Sequence, residues 1–173
     1  MIELILGGAR SGKSTLAEQK AIASGLAVTY IATADPLDLA DDKEMLARIA
    51  HHRAQRPVEW LLVEEPRYLA TLLKTLAAPD RLLLVDCLTL WLSNLLHKDE
   101  VLKETQALLD TLPTLPGHII LVSNEVGMGI VPLGELTRRY VDEAGRLHQR
   151  IAALADNVTF VAAGIPLQLK PQP

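Results

Sequence analysis

Gly7-Gly8-Ala9-Arg10-Ser11-Gly12-Lys13-Ser14 is the stretch that decides the fold, with the apolar run Ile2 to Leu6 before it and a helical pattern from about Lys13 to Ser24 after it. It matches G-x-x-x-x-G-K-[ST], a phosphate-binding loop (P-loop), in the required strand–loop–helix context. The glycines let the backbone curl so that successive N–H groups point at phosphate oxygens. The helix start adds the equivalent of about half a positive charge. Lys13 is expected to reach the β- and γ-phosphates of a nucleoside triphosphate, and the Ser14 hydroxyl to bind a magnesium ion. All eight residues are candidate nucleotide contacts.

Outward from the loop, short apolar runs alternate with helical patterns. Gly25 suits the stop of the first helix, and Val28 to Ala32 reads as a β-branched strand. A polar stretch from Asp35 to Asp42 leads to a predicted helix from Lys43 to Arg53, which Pro57 ends. Trp60 to Val63 reads as a short strand, Tyr68 to Leu76 as a helix, and Arg81 to Val85 as an apolar strand ending at Asp86. Helices are predicted over Leu88 to Leu96 and Val101 to Leu112, and a strand over Ile119 to Val122. The turn-rich segment Ser123 to Pro132 follows, then a long helix from Glu135 to Ala155. Strands at Val158 to Ala163 and Leu167 to Leu169 close the chain. Apolar strands alternating with helices predict an α/β, single-domain P-loop NTPase fold, a mostly parallel sheet with helices on both faces. Ligands of such sheets sit beyond the carboxyl ends of the strands. There lie Gly7 to Ser14, Thr33 to Asp35, Asp86 to Thr89 and Ser123 to Gly129, where polar residues and glycines also gather.

The chain has 173 residues and a net charge of −4, which argues against a general nucleic-acid binder, since that needs a basic face. Cys87 is the only cysteine, so no internal disulfide forms, which suits a reducing cytoplasm. No secretory signal is evident, and no apolar run approaches the ~20 residues that cross a bilayer. The expected location is cytoplasmic.

Asp86, at the end of an apolar strand, is where such folds hold magnesium; capping the next helix is the other role open to an aspartate there. The segment Asp41 to Arg53 contains two histidines. At 100° per residue Met45, Ile49 and His52 fall within about 60° on one face, and His51 points to the opposite side. Arg48, Arg53 and Arg56 favour a neutral imidazole, hence a nucleophile, and they could stabilise a phosphoryl group under attack. Spacing alone leaves a helix-end hydrogen-bonding histidine as the plainer reading.

The motifs extend well beyond the loop. They include Tyr30-Ile31-Ala32-Thr33-Ala34, Glu44-Met45-x-x-Arg48-Ile49-x-x-His52-Arg53-x-x-Arg56-Pro57-x-x-Trp60 and Val63-Glu64-Glu65-Pro66. Val85-Asp86-Cys87-Leu88-Thr89 and the stretch from Val122-Ser123-Asn124-Glu125 to Pro132 complete them. With these the sequence resembles the bifunctional adenosylcobinamide kinase / adenosylcobinamide-phosphate guanylyltransferase family of cobalamin biosynthesis, over nearly the whole chain. The resemblance implies two reactions. ATP or GTP phosphorylates adenosylcobinamide. A histidine then takes GMP from GTP and passes it to adenosylcobinamide phosphate, giving adenosylcobinamide-GDP. The family's histidine, in H-R-x-x-R-P, falls on His52, with His51 the fallback. The nucleotide contacts carried over are Gly7 to Ser14, Thr33, Ala34, Arg53, Ala54, Gln55, Arg56, Glu64 and Asp86; Ser14 and Asp86 would hold Mg2+. The resemblance also implies a homo-oligomer, a trimer in the family.

One nucleotide pose can hardly serve both γ- and α-attack, so the helix bearing His52 is expected to move between the reactions. Two departures stand out: Val141 and His148 occupy positions where relatives typically carry arginine and asparagine. The base that activates the cobinamide hydroxyl has no spacing argument behind it; Glu125 and Asp142 are loose candidates, each also readable as a solvated acid. Two other functions compete. A small-molecule P-loop kinase would form no covalent intermediate, and a nucleotide-driven binding module would turn over slowly without an acceptor.

Overall fold

The motif folds as its chemistry requires: β1 (Ile2–Gly7) enters the loop and α1 (Lys13–Ala23) leaves it. This is a computed structural model that describes residues 1–35 and 57–171. Beyond α1 come β2 (Ala27–Ala32), β3 (Leu61–Glu64), α2 (Leu69–Leu76), β4 (Arg81–Asp86), α3 (Leu88–His97) and α4 (Val101–Thr111). A 3₁₀ turn at Leu112–Thr114 leads to β5 (His118–Asn124), α5 (Glu135–Leu154), β6 (Asn157–Ala162) and β7 (Ile165–Lys170). The predicted helix Lys43 to Arg53 lies outside the described residues.

Among the described residues seven strands make one sheet, in the order β3-β2-β4-β5-β1-β6-β7. Every neighbouring pair is parallel except β6 with β7. Alternate side chains of the central strands serve two cores, which explains why these strands read as unbroken apolar runs. Leu4, Leu83, Val85, Ile119 and Leu121 point to the face covered by α2 to α5, around Trp91, Leu92, Leu95 and Ile151. Ile5, Leu82, Leu84, Ile120 and Val122 point to the other face, against Ala17 and Ala21 of α1. Each such aliphatic side chain contributes roughly 1.5–3 kcal/mol by leaving water.

Most boundaries shift by a residue from the sequence reading, and three of the differences have a clear tertiary reason. β5 runs on to Asn124 because its ladder with β1 continues to the Gly7–Asn124 pair, so Ser123 is a strand residue and not the start of a turn. Ala163 leaves β6 and joins Gly164 in a tight turn, both at positive φ (51° and 78°), the backbone a two-residue hairpin needs. The last strand is longer than its apolar core suggested. β7 pairs antiparallel with β6 over Ile165–Lys170 and is exposed throughout.

Candidate active site

The four polar loops converge at the carboxyl edge of the sheet, stitched together by hydrogen bonds. Thr33 Oγ1 donates to the Cys87 carbonyl at 2.6 Å and accepts from the Cys87 N–H at 3.0 Å, tying the end of β2 to that of β4. Thr89 Oγ1 accepts from the Asn124 N–H at 2.8 Å, tying the start of α3 to the end of β5. The Glu125 N–H donates to the Gly7 carbonyl at 3.1 Å, and the Gly164 N–H to the Ser11 carbonyl at 2.8 Å. The hairpin turn thus braces the phosphate loop from one side and the β5 loop from the other.

Inside that frame the loop has the shape its glycines permit. A Cβ on Gly7 would meet Ser11 Oγ and the Val161 carbonyl at 2.5 Å, and Gly12, at φ +96°, is the cap residue of α1. Among the described residues no side chain caps α1, and its first turn holds no acidic residue. The first N–H groups of the helix therefore point outward with no side-chain acceptor, an anion-binding arrangement. Lys13 is buried, and its Nζ donates to the Gly8 carbonyl at 3.2 Å. Ser14 is partly exposed in the first turn, while Ala9 and Arg10 form the exposed loop tip.

Asp86 ends β4, and its backbone pairs with Ala32 of β2 and Val122 of β5. The capping alternative falls away, because the cap residue of α3 is Cys87 and no side chain caps that helix. Burial, reinforced by the Asp86 carboxylate, pushes the Cys87 thiol up to about 11, so it is no thiolate nucleophile. Ser14 and Asp86 offer a hydroxyl and a carboxylate, hard oxygen donors of the kind magnesium takes alongside phosphates and water.

The other expected contacts divide. Ala34 is partly buried beside the β2–β4 clamp, and Glu64 is exposed at the end of edge strand β3, its backbone paired with Ala32. Thr33 is fully buried, and its hydroxyl both donates to and accepts from the backbone of Cys87, so it frames the site. His51, His52, Arg53, Ala54, Gln55 and Arg56 lie outside the described residues.

Several framing residues had no assigned role in the sequence. Asn94 donates to the carbonyls of Thr33 and Pro66 at 2.8 and 3.0 Å. Tyr140 donates to the Thr89 carbonyl at 3.0 Å, and burial, with Cys87 nearby, raises its pKa, keeping the phenol a donor. His148 bonds to Ser123 from the buried face of α5. The signal for each was a polar residue at helical spacing from apolar ones: Asn94 between Trp91 and Leu95, and His148 between Ala144 and Ile151.

A family model described as cobinamide kinase / cobinamide phosphate guanyltransferase matches residues 3–169. The chain belongs to this family. It is 60% identical, over its full length and 99% of the relative, to the bifunctional adenosylcobalamin biosynthesis protein CobP of Pseudomonas aeruginosa. It is 41% identical, over 98% of the chain and all of the relative, to the protein CobU of Salmonella typhimurium, which carries the same description. Among solved structures, flagellar accessory protein FlaH of Methanocaldococcus jannaschii resembles it with a TM-score of 0.50 at 14% identity, covering 99% of this chain and 78% of that one, a likeness of fold alone. As a member of the cobinamide kinase / cobinamide phosphate guanyltransferase family, the chain is a bifunctional enzyme of adenosylcobalamin biosynthesis with a kinase and a guanylyltransferase activity. No helix among the described residues is long and apolar enough to cross a membrane.

Proposed function

We propose that one nucleotide site at the carboxyl edge of the sheet serves both activities. In the kinase reaction, the phosphates of ATP or GTP rest on the N–H groups of Gly8 to Ser14, with Lys13 on the β- and γ-phosphates. The γ-phosphoryl group passes to the aminopropanol hydroxyl of adenosylcobinamide. In the transferase reaction, a neutral imidazole of His52 attacks the α-phosphorus of GTP. The bond to the bridging oxygen breaks, pyrophosphate leaves, and the enzyme is guanylylated. An oxygen of adenosylcobinamide phosphate then attacks the same phosphorus, giving adenosylcobinamide-GDP and freeing His52. A nucleophile for the α-phosphate must come from an element other than the loop that grips the β- and γ-phosphates.

The observation that carries the nucleotide part is the uncapped start of α1 with the buried Lys13 cation beside it. Among the described residues no carboxylate pairs with Lys13; a buried charge so placed is costly, and a polyanion removes the cost. Ser14 and Asp86 would hold magnesium, which when bound neutralises charge on the phosphates. Thr33, Ala34, Glu64 and the run Arg53, Ala54, Gln55 and Arg56 complete the proposed nucleotide contacts. The same reading includes a cytoplasmic homotrimer. Exposed Met128, Ile130, Val131 and Leu133, with Ile165 and Leu167 of β7, offer apolar surface for subunit contact. Light scattering tests it, three chains per particle being expected.

The decisive experiment for the transferase part is incubation with α-labelled GTP followed by mapping of an acid-labile, base-stable adduct. His52→Ala is expected to abolish the adduct and His51→Ala to keep it. The reverse pattern moves the nucleophile to His51. A wild-type chain that takes no label overturns the covalent route.

A further inference from the structure

Glu125 is the first residue past β5, and β5 lies between the strand that feeds the phosphate loop and the strand that ends at Asp86. Its N–H is bound to the Gly7 carbonyl, so the residue is fixed to the root of the loop. One carboxylate oxygen accepts the Gly127 N–H. The other lies 3.8 Å from His148 Nδ1. The Glu125 side chain remains 21% exposed and that of His148 only 8%. His148 Nε2 sits 2.8 Å from Ser123 Oγ, while Nδ1 is buried with no hydrogen-bond partner among the described residues, aimed at the carboxylate. Burial lowers the pKa of this imidazole against the pull of Glu125, so it is neutral at pH 7 and carries a single N–H.

The order Ser123–His148–Glu125 is that of a nucleophile with its base and orienting acid. Burial rules that role out. Ser123 is 2% exposed and lies against the Thr89 hydroxyl at 3.5 Å, so no substrate carbon or phosphorus reaches its oxygen. The accessible member of the set is the carboxylate. Asp142, the other acid considered as a base, is exposed on α5, and among the described residues no hydrogen bond fixes it to the loop.

We propose that Glu125 is the general base of the kinase reaction and that His148, itself anchored by Ser123, is the residue that positions its carboxylate. The proposal rests on the γ-phosphate lying at Lys13. The cobinamide hydroxyl gives its proton to the Glu125 carboxylate as its oxygen bonds to the γ-phosphorus. The bond from that phosphorus to the β,γ-bridging oxygen breaks, and its electron pair leaves on the nucleoside diphosphate. Glu125 then releases the proton to solvent. The guanylyl transfer needs no such base, because its acceptor is a phosphate oxygen already ionised at neutral pH. The two activities of one protein therefore respond differently to the loss of this carboxylate.

The test uses the full-length Glu125→Gln protein in two separate assays, γ-labelled GTP with adenosylcobinamide, and α-labelled GTP with adenosylcobinamide phosphate. Phosphoryl transfer is expected to fall about 100-fold or more, the usual contribution of a positioned base, with GMP transfer and GTP affinity within about threefold of wild type. A kinase rate within about fivefold of wild type, or an equal fall in both assays, overturns the assignment. His148→Leu is expected to slow only the kinase, by about tenfold, and His148→Asn, whose amide can also bridge a hydroxyl and a carboxylate, to restore it. Equal rates for the Leu and Asn variants overturn the positioning role. A wild-type chain active only in the second assay removes the γ-phosphate reading beneath the proposal, an outcome distinct from wild-type kinase activity that survives in Glu125→Gln.

Discussion

Glu3 and Lys13 are both buried charges close to β1, one near each end of the sheet, and the fold treats them in opposite ways. Glu3 is held between Lys20 Nζ at 2.6 Å and His118 Nε2 at 2.8 Å. The same end is closed further by the N-terminal amine on the Gly117 carbonyl at 2.8 Å and the Ile2 N–H on Asp156 Oδ2 at 2.6 Å. Lys13 has the Gly8 carbonyl at 3.2 Å, and the nearby Ser11 hydroxyl is buried without a partner among the described residues. One end of the sheet pairs its buried charge with opposite charge; the other, among the described residues, leaves Lys13 with a carbonyl alone and Ser11 Oγ with no partner. Buried polar groups that stay unpaired mark function, because in a purely structural role they cost about 1–3 kcal/mol each.

The sharpest way to break this contrast is to remove the two charges in turn. Lys13→Ala is expected to lower phosphoryl transfer by about 10²–10³-fold, the scale of one lost transition-state donor. The apo protein's melting temperature should stay level or rise, since a poorly compensated buried cation is gone. Steady-state kinetics and calorimetry on one preparation check both halves, and a large loss of stability would contradict the comparison.

Glu3→Gln should do the reverse. It leaves Lys20 and His118 without their carboxylate, at a cost of about 1–3 kcal/mol, reduced from the figure for fully buried pairs because Lys20 is partly exposed. Denaturant unfolding reads this cost, while nucleotide turnover remains at wild-type level. Equal losses of turnover and stability would mean that the two ends of the sheet are not independent.

The smallest expected effect is in pH. Burial raises the pKa of Glu3, but the hydrogen bonds from His118 and Lys20 outweigh it and leave the carboxyl below its ordinary value of 4.5. A carboxyl lowered in the folded state contributes stability that is fully present above that ordinary value and is lost as pH falls through the folded one. The gap in melting temperature between wild type and Glu3→Gln should therefore narrow as pH falls below about 4.5. A gap that widens below about pH 4.5 would reverse the sign of the argument.

Much of the phosphate end was legible because its signals are local. Gly7 and Gly12 stand where a Cβ or a negative φ would not fit, and Lys13 and Ser14 follow at fixed offsets. The apolar runs of β1, β4 and β5 are bounded by turn residues, so they were read to within two residues at each end. Asp86 was found as a carboxylate ending such a run. The bonding of the Thr33 hydroxyl onto the backbone of Cys87 was not legible, because a position at a strand end does not reveal which way a hydroxyl turns. The hairpin at Ala163 and Gly164 was missed because a two-residue turn with alanine first lacks the usual asparagine or aspartate.

The sequence by itself determined a phosphate-binding loop between strand and helix, a parallel sheet buried on both faces, and membership of a two-activity family. These follow from turn chemistry and from periods of two and 3.6, which neighbouring residues settle among themselves. Only the tertiary structure decided that β5 inserts between β1 and β4, and with that, which acid stands beside the loop. Glu125 and Asp142 were indistinguishable along the chain. Strand order brings one of them to Gly7 and to a buried histidine 23 residues away (148 − 125), and leaves the other exposed on α5 at the rim of the loop that follows β5. Strand order is set by long-range burial of whole elements, which no local spacing records.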